Sequence, residues 1–263
     1  MSALAPGVDR SRVDDALQLR ATARGSGTAL VMRGGGFPLA MRRTGPHRVH
    51  LVGTGAWPLG GDRVALTVHV GAGARLELAS VAATIALPGR TTARSRFDVH
   101  VDVEPGGTAI IDLGPTVVAA GAEHATSTSV RLAGDARLLL RELVVLGRTD
   151  EAPGTSDSQL DVTVASRPLV RERLVRPGGV AAPAVDDDRR AAAGIVLVGG
   201  VPGVRPAGPA GDVEAAVAGT ATDWLALPDD HGWRSVDLDD DVAALRARDE
   251  IRWRAAMIAM DGV

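Results

Sequence analysis

The stretch "PLGGDRVALTVHVGAGARL", residues 58–76, places one alternating segment between two glycine-rich turns. Apolar side chains occupy every second position from Val64 to Val70, and smaller or more polar residues lie between them. Alternation with a period of two is typical of a β-strand that buries one face. The same alternation recurs over residues 97–104 and 160–164. The first two thirds of the chain therefore predict a series of half-buried strands.

Turns of small and polar residues follow these strands at a nearly constant spacing. The residues that enter these turns are Val70, Val103, Leu132 and Val164. They lie 33, 29 and 32 positions apart. Glycine at such points supplies the backbone conformations that a tight hairpin or corner requires. A hairpin that recurs about every thirty residues predicts stacked layers of strands, as in solenoid-like β proteins. A Greek-key sandwich would also produce this spacing, and we prefer the layered arrangement.

The last third of the sequence changes character. Proline, glycine and alanine dominate residues 176–194, which predicts a long loop, and residues 195–201 predict a short buried strand. We expect a single mainly β domain over residues 1–263, with few helices. Its layered core is expected at about residues 18–176, and a loop-rich part with a terminal helix at 177–263.

Residues 237–260 predict that terminal helix. Asp239 or Asp240 is expected to cap its first turn, because an aspartate at this place accepts hydrogen bonds from free backbone N–H groups. The spacing of apolar residues predicts a buried face that contains Val242, Leu245 and Ile251. The arginines of the helix are expected mostly on other faces, which suits a solvated or partner-facing surface.

Composition excludes several classes of function. The net charge of −3 gives no electrostatic footprint for nucleic acid or an anionic membrane. The chain has no cysteine, so thiolate nucleophiles, zinc ribbons and disulfides are excluded. It also has no lysine, so the phosphate-binding loop of nucleotide hydrolases cannot be formed. The start of the sequence lacks the apolar core of a signal peptide, and no stretch approaches the ~20 apolar residues of a membrane span. We expect a cytoplasmic protein.

The polar residues do not combine into a convincing catalytic or metal site. Asp98, His100 and Asp102 share one strand face, but neighbours there stand ~6.6 Å apart along the backbone, which favours a solvated face over a tight metal site. Neither a GxSxG nor an HExxH motif occurs. The sequence therefore offers no convincing catalytic set. A β-solenoid carbohydrate-active enzyme and a structural repeat protein remain the alternatives.

Three longer segments together resemble the urease accessory proteins called UreD, or UreH in some organisms. Residues 47–89 contain a Gly-Gly-Asp that opens a strand and a later "AAT", and residues 130–148 contain a glutamate strand that ends in Gly-Arg. Residues 166–174, "SRPLVRERL", resemble the strand pair that follows in the family. The matching motif positions are Gly60, Gly61, Asp62, Arg63, Ala82, Ala83, Thr84, Glu142, Gly147 and Arg148. The arginine-only composition resembles an actinobacterial-type variant.

This resemblance implies a β-rich, helix-poor fold and a non-enzymatic scaffold in urease maturation. Such a scaffold binds the urease apoprotein, a helical accessory protein of the UreF type and, through it, a nickel-binding GTPase of the UreG type. No tightly bound cofactor is implied, only nickel in transit. Neither nucleic acid nor a membrane is an expected partner.

The resemblance singles out Asp62 and Glu142 as candidates for a nickel route. Carboxylates bind a cation reversibly, and a transfer path needs ligands that also release it. The structural alternative is that Asp62 hydrogen-bonds the turn at Gly60 and Gly61, while Glu142 pairs with an arginine such as Arg141 or Arg171.

Overall fold

The computed structural model of the protein describes residues 17–178, 190–199, 225–227 and 231–261. In chain order its strands are β1 (Leu17–Arg24), β2 (Gly27–Arg33), β3 (Leu39–Arg43), β4 (Arg48–Gly53), β5 (Arg63–Val70), β6 (Arg75–Ser80), β7 (Thr84–Ala86), β8 (Arg94–Val103), β9 (Thr108–Val118), β10 (Glu123–Leu132), β11 (Arg137–Leu146), β12 (Thr155–Val164), β13 (Arg167–Arg176), β14 (Ala191–Val198), β15 (Leu225–Ala226) and β16 (Gly232–Asp239). One helix, α1, spans Val242–Asp261.

The strands form two sheets. The first has the order β13-β12-β10-β8-β5-β1-β2, and the second has the order β15-β16-β14-β11-β9-β6-β4-β3, with β7 beside β9. The chain passes from the first sheet to the second between β5 and β6, between β8 and β9, and between β10 and β11. Each of these strands pairs in parallel with the strand one coil away. These stacked coils resemble a β-solenoid, which confirms the prediction of a mainly β, layered fold.

The recurring turns are corners more often than hairpins. The turns after Val70, Val103 and Leu132 carry the chain from one sheet to the other, so the hairpin prediction is wrong at these three positions. The fourth turn joins two antiparallel strands of the same sheet, and both of its residues, Ala165 and Ser166, have positive φ angles of 47° and 65°. Glycine and small polar residues serve both geometries, which is why the sequence did not separate them.

The main hydrophobic core fills the space between the two sheets. The parallel register sets Leu66 beside Val99 and Val68 beside Val101, so the alternating apolar side chains of successive coils stack in rows. All four are at most 2% exposed. Because each coil alone is too small to bury its apolar face, the stacking of coils is what creates the core.

The last strands extend the second sheet. The strand β14 pairs antiparallel with β11, and β16 pairs with β14. The outer face of this sheet is covered by α1, where Leu139, Ile195 and Leu197 pack against Ala256 and Met260. The strand expected at 195–201 is thereby confirmed, although it begins at Ala191, inside the predicted loop. Residues 179–189, which hold most of that loop, lie outside the described residues.

The predicted terminal helix is present, but its cap and its buried face differ from expectation. The backbone N–H groups of Ala243 and Ala244 donate to Asp241 Oδ1 at 2.9 and 3.0 Å, so the cap is neither Asp239 nor Asp240. The reason is that β16 continues to Asp239. None of the helical segments in the described part of the chain has the length and apolarity that crossing a membrane requires.

The apolar face of α1 also shifts. Leu245 is buried as expected, but Ile251 is 46% exposed. The position that Ile251 was expected to take is held by Arg252, which is 1% exposed and donates from Nη1 to Asp237 Oδ2 at 2.7 Å. A buried carboxylate on β16 therefore draws an arginine to the inner side of the helix, which contradicts the expectation of solvated arginines for this residue.

Candidate functional site

One end of the inner face of the first sheet is polar. The register sets Ser95, His124, Ser156 and Arg176 side by side across β8, β10, β12 and β13, and all four are buried. Farther along the strands, the same inner face carries the valines and leucines of the core. The space between the sheets thus has an apolar half, which holds the fold together, and a polar half, which is the candidate site.

Glu142 reaches this polar half from the opposite sheet. It lies on β11 where the register with β9 shifts between Arg141 and Leu143. Thr128 Oγ1 on β10 donates a hydrogen bond to Glu142 Oε1 at 2.9 Å, which links the two sheets. The carboxyl group that the resemblance singled out therefore points into the space between the two sheets, where Glu142 is partly buried.

Two small cavities meet at Glu142. One has a volume of about 50 Å³ and is also lined by His124, Thr126 and Ser158. The other has a volume of about 30 Å³ and is lined by Ser158 and Glu172, among others. A cavity of roughly 10–15 Å³ holds one water molecule, so each has room for water or for a small, partly hydrated ion.

An ion pair closes the open edge of this space. Arg234 on β16 donates to both carboxylate oxygens of Glu172 on β13, at 2.8 and 3.2 Å, and so bridges the two sheets. Gly194 makes room for the guanidinium, because a Cβ atom there would lie 2.5 Å from Arg234 Nη1. Arg234 is buried, and its charge lies close enough to Glu142 to act on it.

The electrostatics of the polar half favour the neutral forms of Glu142 and His124. Burial raises the pKa of Glu142, and Glu172 adds to this rise, while the Thr128 hydrogen bond and the charge of Arg234 oppose it. Burial lowers the pKa of His124 to about 4, so its imidazole is neutral at pH 7. Ser95 Oγ lies 2.9 Å from His124 Nδ1 and shares a hydrogen bond with it. The site thus offers hydroxyl and carboxyl oxygens and a neutral imidazole, which are groups that can bind a divalent cation.

Asp62 lies in a turn and does not line these cavities. Its Oδ2 accepts a hydrogen bond from the backbone N–H of Leu59 at 2.9 Å, and its own N–H donates to the Leu59 carbonyl. Gly60 packs against a second loop so closely that a Cβ atom would lie 1.9 Å from the Thr92 carbonyl oxygen. The Gly-Gly-Asp motif therefore holds two loops together, as the structural alternative for Asp62 predicted.

The structural alternative for Glu142 fails in its details. Arg141 lies on the opposite face of β11, where it bonds to Asp112 and Glu250. Arg171 pairs with Asp161 on the surface, at 2.9 Å. Glu142 pairs with neither arginine, because neighbouring residues of a strand point to opposite faces.

The remaining motif positions are structural or peripheral. Thr84 lines the larger cavity, and Ala82 accepts a hydrogen bond from Ser80 Oγ at 2.9 Å in the loop before β7. Gly147 turns the chain with a φ of 77°, and Arg148 pairs with Glu151 at 2.7 Å. The remaining positions, Arg63 and Ala83, are exposed.

Sequence reasoning missed most of the polar half. His124, Thr128 and Ser158 were not predicted, although "EHATSTSV" at 123–130 places hydroxyl and imidazole groups at inward positions where other strands carry valine or leucine. Within the described ranges, no group of three or more His, Asp or Glu side chains is set to hold a metal ion.

Comparison with known proteins places the chain among urease accessory proteins. The family model of the UreD urease accessory protein matches residues 14–258. A urease accessory protein UreD of a Parafrankia species is 36% identical over 272 residues, which cover 93% of this chain and 88% of the relative. UreD of Frankia alni is 42% identical over 222 residues, or 76% of this chain and 71% of the relative. UreD 1 of Saccharopolyspora erythraea is 50% identical over 130 residues, which cover 49% of this chain and 51% of the relative. The match to this relative therefore spans about half of its length.

Proposed function

Because the chain belongs to the UreD family of urease accessory proteins, we propose that it is a non-enzymatic urease maturation factor that passes nickel ions through the polar half of the space between its sheets. The family match supports a role in urease maturation. The route for nickel rests on one observation, the interior carboxyl of Glu142 at the junction of two cavities.

The chemistry of the polar half suits an ion that is bound and then released. Nickel accepts imidazole and carboxylate ligands, and His124 and Glu142 line the same cavity. Because burial raises the pKa of Glu142, a proton competes more strongly with an arriving cation for this carboxyl group than it would at an exposed glutamate. This competition weakens binding and makes it reversible, which is what a carrier of cargo requires.

The proposal includes the partners that such a route connects. Nickel would arrive from a nickel-binding GTPase held by a helical accessory protein and would leave toward the urease apoprotein, all in the cytoplasm. Exposed apolar side chains outside the core support a protein that works in an assembly, among them Phe37, Val81 and Ile85, which are 52%, 58% and 42% exposed.

The test is urease activation in cells that co-express urease, the accessory proteins and a variant of this chain. Glu142→Gln keeps the volume of the side chain and its acceptor oxygen for Thr128 but removes the ionisable carboxyl group. We expect urease activity and nickel per urease active site to fall at limiting nickel, with partner binding unchanged. Glu123→Gln, an exposed carboxyl at the start of the same strand as Thr128, is the matched control. Full activation by Glu142→Gln at limiting nickel would refute the route.

A further inference from the structure

Arg176 is a buried arginine at the end of β13. It is 7% exposed, and it lies on the inner face of the first sheet next to Ser156 of β12. Its Nη1 atom is shielded from solvent and has no hydrogen-bond partner. An unpaired buried donor costs the free energy of its lost hydration, so buried guanidinium groups normally use their N–H groups in hydrogen bonds. A donor of this kind favours an acceptor that the chain itself does not supply.

The charge of Arg176 is also poorly compensated. Burial lowers the pKa of its guanidinium, and the charge of Asp240 opposes that effect. In the described part of the chain, however, no ion pair joins Arg176 to Asp240 or to another carboxylate. Glu172, two inward positions earlier on β13, is already paired with Arg234 at 2.8 Å. A buried charge without a partner is costly, and an anion that reached Arg176 would reduce this cost.

The groups in the same row as Arg176 are neutral. Ser156 is 3% exposed, and beyond it lie His124 and Ser95, which share a hydrogen bond. Because the pKa of His124 is about 4, its imidazole is uncharged at pH 7. Hydroxyl groups can donate a hydrogen bond to an anion, whereas a carboxylate would repel it. This row of four residues thus combines one cation with hydroxyl donors and contains no carboxylate.

The row lies close to the two cavities of the nickel route. Ser158 lines both cavities, and it is the next inward-facing residue after Ser156 on β12. At a rise of ~3.3 Å per residue, the two serines stand roughly 6.6 Å apart along the strand. A small ion in either cavity is therefore one inward position away from the row.

We propose that Arg176 and Ser156 form a binding site for a small oxyanion of the size of bicarbonate or phosphate. A guanidinium presents parallel N–H groups that match two oxygens of such an ion. The Ser156 hydroxyl supplies a further donor from the adjacent strand. The bound ion would neutralise the charge of Arg176 and would thereby remove the repulsion between this charge and a cation in the neighbouring cavities.

The site is tested on the purified full-length chain, without nickel and without partner proteins. Thermal unfolding at neutral pH is measured with millimolar sodium phosphate or sodium bicarbonate, against sodium chloride at the same ionic strength. A ligand that binds only the folded chain raises the Tm in a saturable way. At a concentration of about ten times its Kd, the expected rise is roughly 3–6 °C.

Arg176→Met keeps most of the side-chain volume but removes the charge and the N–H donors. Replacement of a buried charge by an apolar group is compatible with folding, and the Tm of this variant should not respond to either oxyanion. Arg173→Met is the matched control. Arg173 lies on the same strand but faces outward, where it pairs with Asp157 at 2.8 Å. Its variant should respond to the anions as the wild type does.

Equilibrium dialysis with radiolabelled phosphate and bicarbonate measures the site directly in the wild type. We expect at least one of the two anions to saturate at one ion per chain. If neither anion binds saturably, the inference is overturned, and a water molecule is the better partner for Arg176 Nη1. An equal rise in Tm for the wild type and Arg176→Met would also overturn it, because the anion would then bind elsewhere.

The outcomes are independent of the nickel route. None of these measurements involves nickel or urease, so a negative result removes only the anion site. Full urease activation by Glu142→Gln would remove only the nickel route, since anion binding by the isolated chain does not require that carboxyl group.

Discussion

Asp249→Asn is expected to stabilise the folded protein at neutral pH. Burial raises the pKa of this carboxyl group from 3.8 to about 6, and Asp112 and Glu250 add to the rise, against the opposing charges of Arg141 and Arg252. A difference of one pKa unit between the folded and the unfolded chain is worth 1.36 kcal/mol. The rise from 3.8 to about 6 therefore means that the ionised group lowers the free energy of unfolding by about 3 kcal/mol. An asparagine carries no charge to bury.

The sign of the effect depends on pH in a defined way. Below about pH 4 the carboxyl group is neutral in both the folded and the unfolded chain, so Asp249 has no electrostatic effect on stability. Between about pH 4 and 6 the unfolded chain loses the proton while the folded chain keeps it, so stability falls as pH rises. Above pH 6 the loss is constant. The gain from Asp249→Asn should therefore be about 3 kcal/mol at pH 7.5 and about half of that at pH 5.

Thermal and urea unfolding at these two pH values measure the gain. For a chain of this size about 3 kcal/mol corresponds to a rise in Tm of roughly 6–12 °C at pH 7.5. Glu250→Gln, at the adjacent position, is the control with the opposite sign. Burial raises the pKa of Glu250, but hydrogen bonds from Arg141 and Arg254 outweigh it, so the pKa is lowered and loss of the charge should destabilise the fold. A Tm for Asp249→Asn at or below that of the wild type at pH 7.5 would contradict the reasoning.

Two further predictions concern the fold. Gly60→Ala should prevent the close packing of two loops, because the new Cβ would meet the Thr92 carbonyl oxygen. The variant is expected in the insoluble fraction or with a strongly lowered Tm. Gly134 has open space around it, so the control variant Gly134→Ala should fold normally. Asp241→Ala should remove the cap of α1 and lower the free energy of unfolding by about 1 kcal/mol, measured by urea unfolding, and an unchanged midpoint would show that the helix start is held by other contacts.

The strands were predictable because their signal is local. Alternation in 63–70 reports which side chains face the core, and a period of two is visible without knowing the partner strand. The direction of the chain after each turn was not predictable in the same way. A corner into the other sheet and a hairpin in the same sheet use the same small residues, so only the spatial order of strands distinguishes them.

The candidate site was predictable in one residue and hidden in the rest. Glu142 was singled out by resemblance, but its hydrogen bond to Thr128 depends on which strands face each other across the two sheets. The inward position of His124 follows from a register with Ser95, 29 residues away. Arg252 was expected on a solvated face of the helix. Its partner Asp237 lies on β16, and the sequence pattern had placed residue 237 inside the predicted helix. Partners that are distant in sequence leave no periodic signal.

The ion pair between Glu172 and Arg234 has a consequence for the protein as it is made on the ribosome. A nascent chain that has emerged as far as β13 already contains Glu142, His124 and Thr128, but the seam between its two sheets is still open at that edge. Only the arrival of β16 supplies the arginine that fastens it. The space between the sheets is thus closed at this edge only after β16 has been made, and a chain cut short before β16 would lack the ion pair that joins the two sheets there.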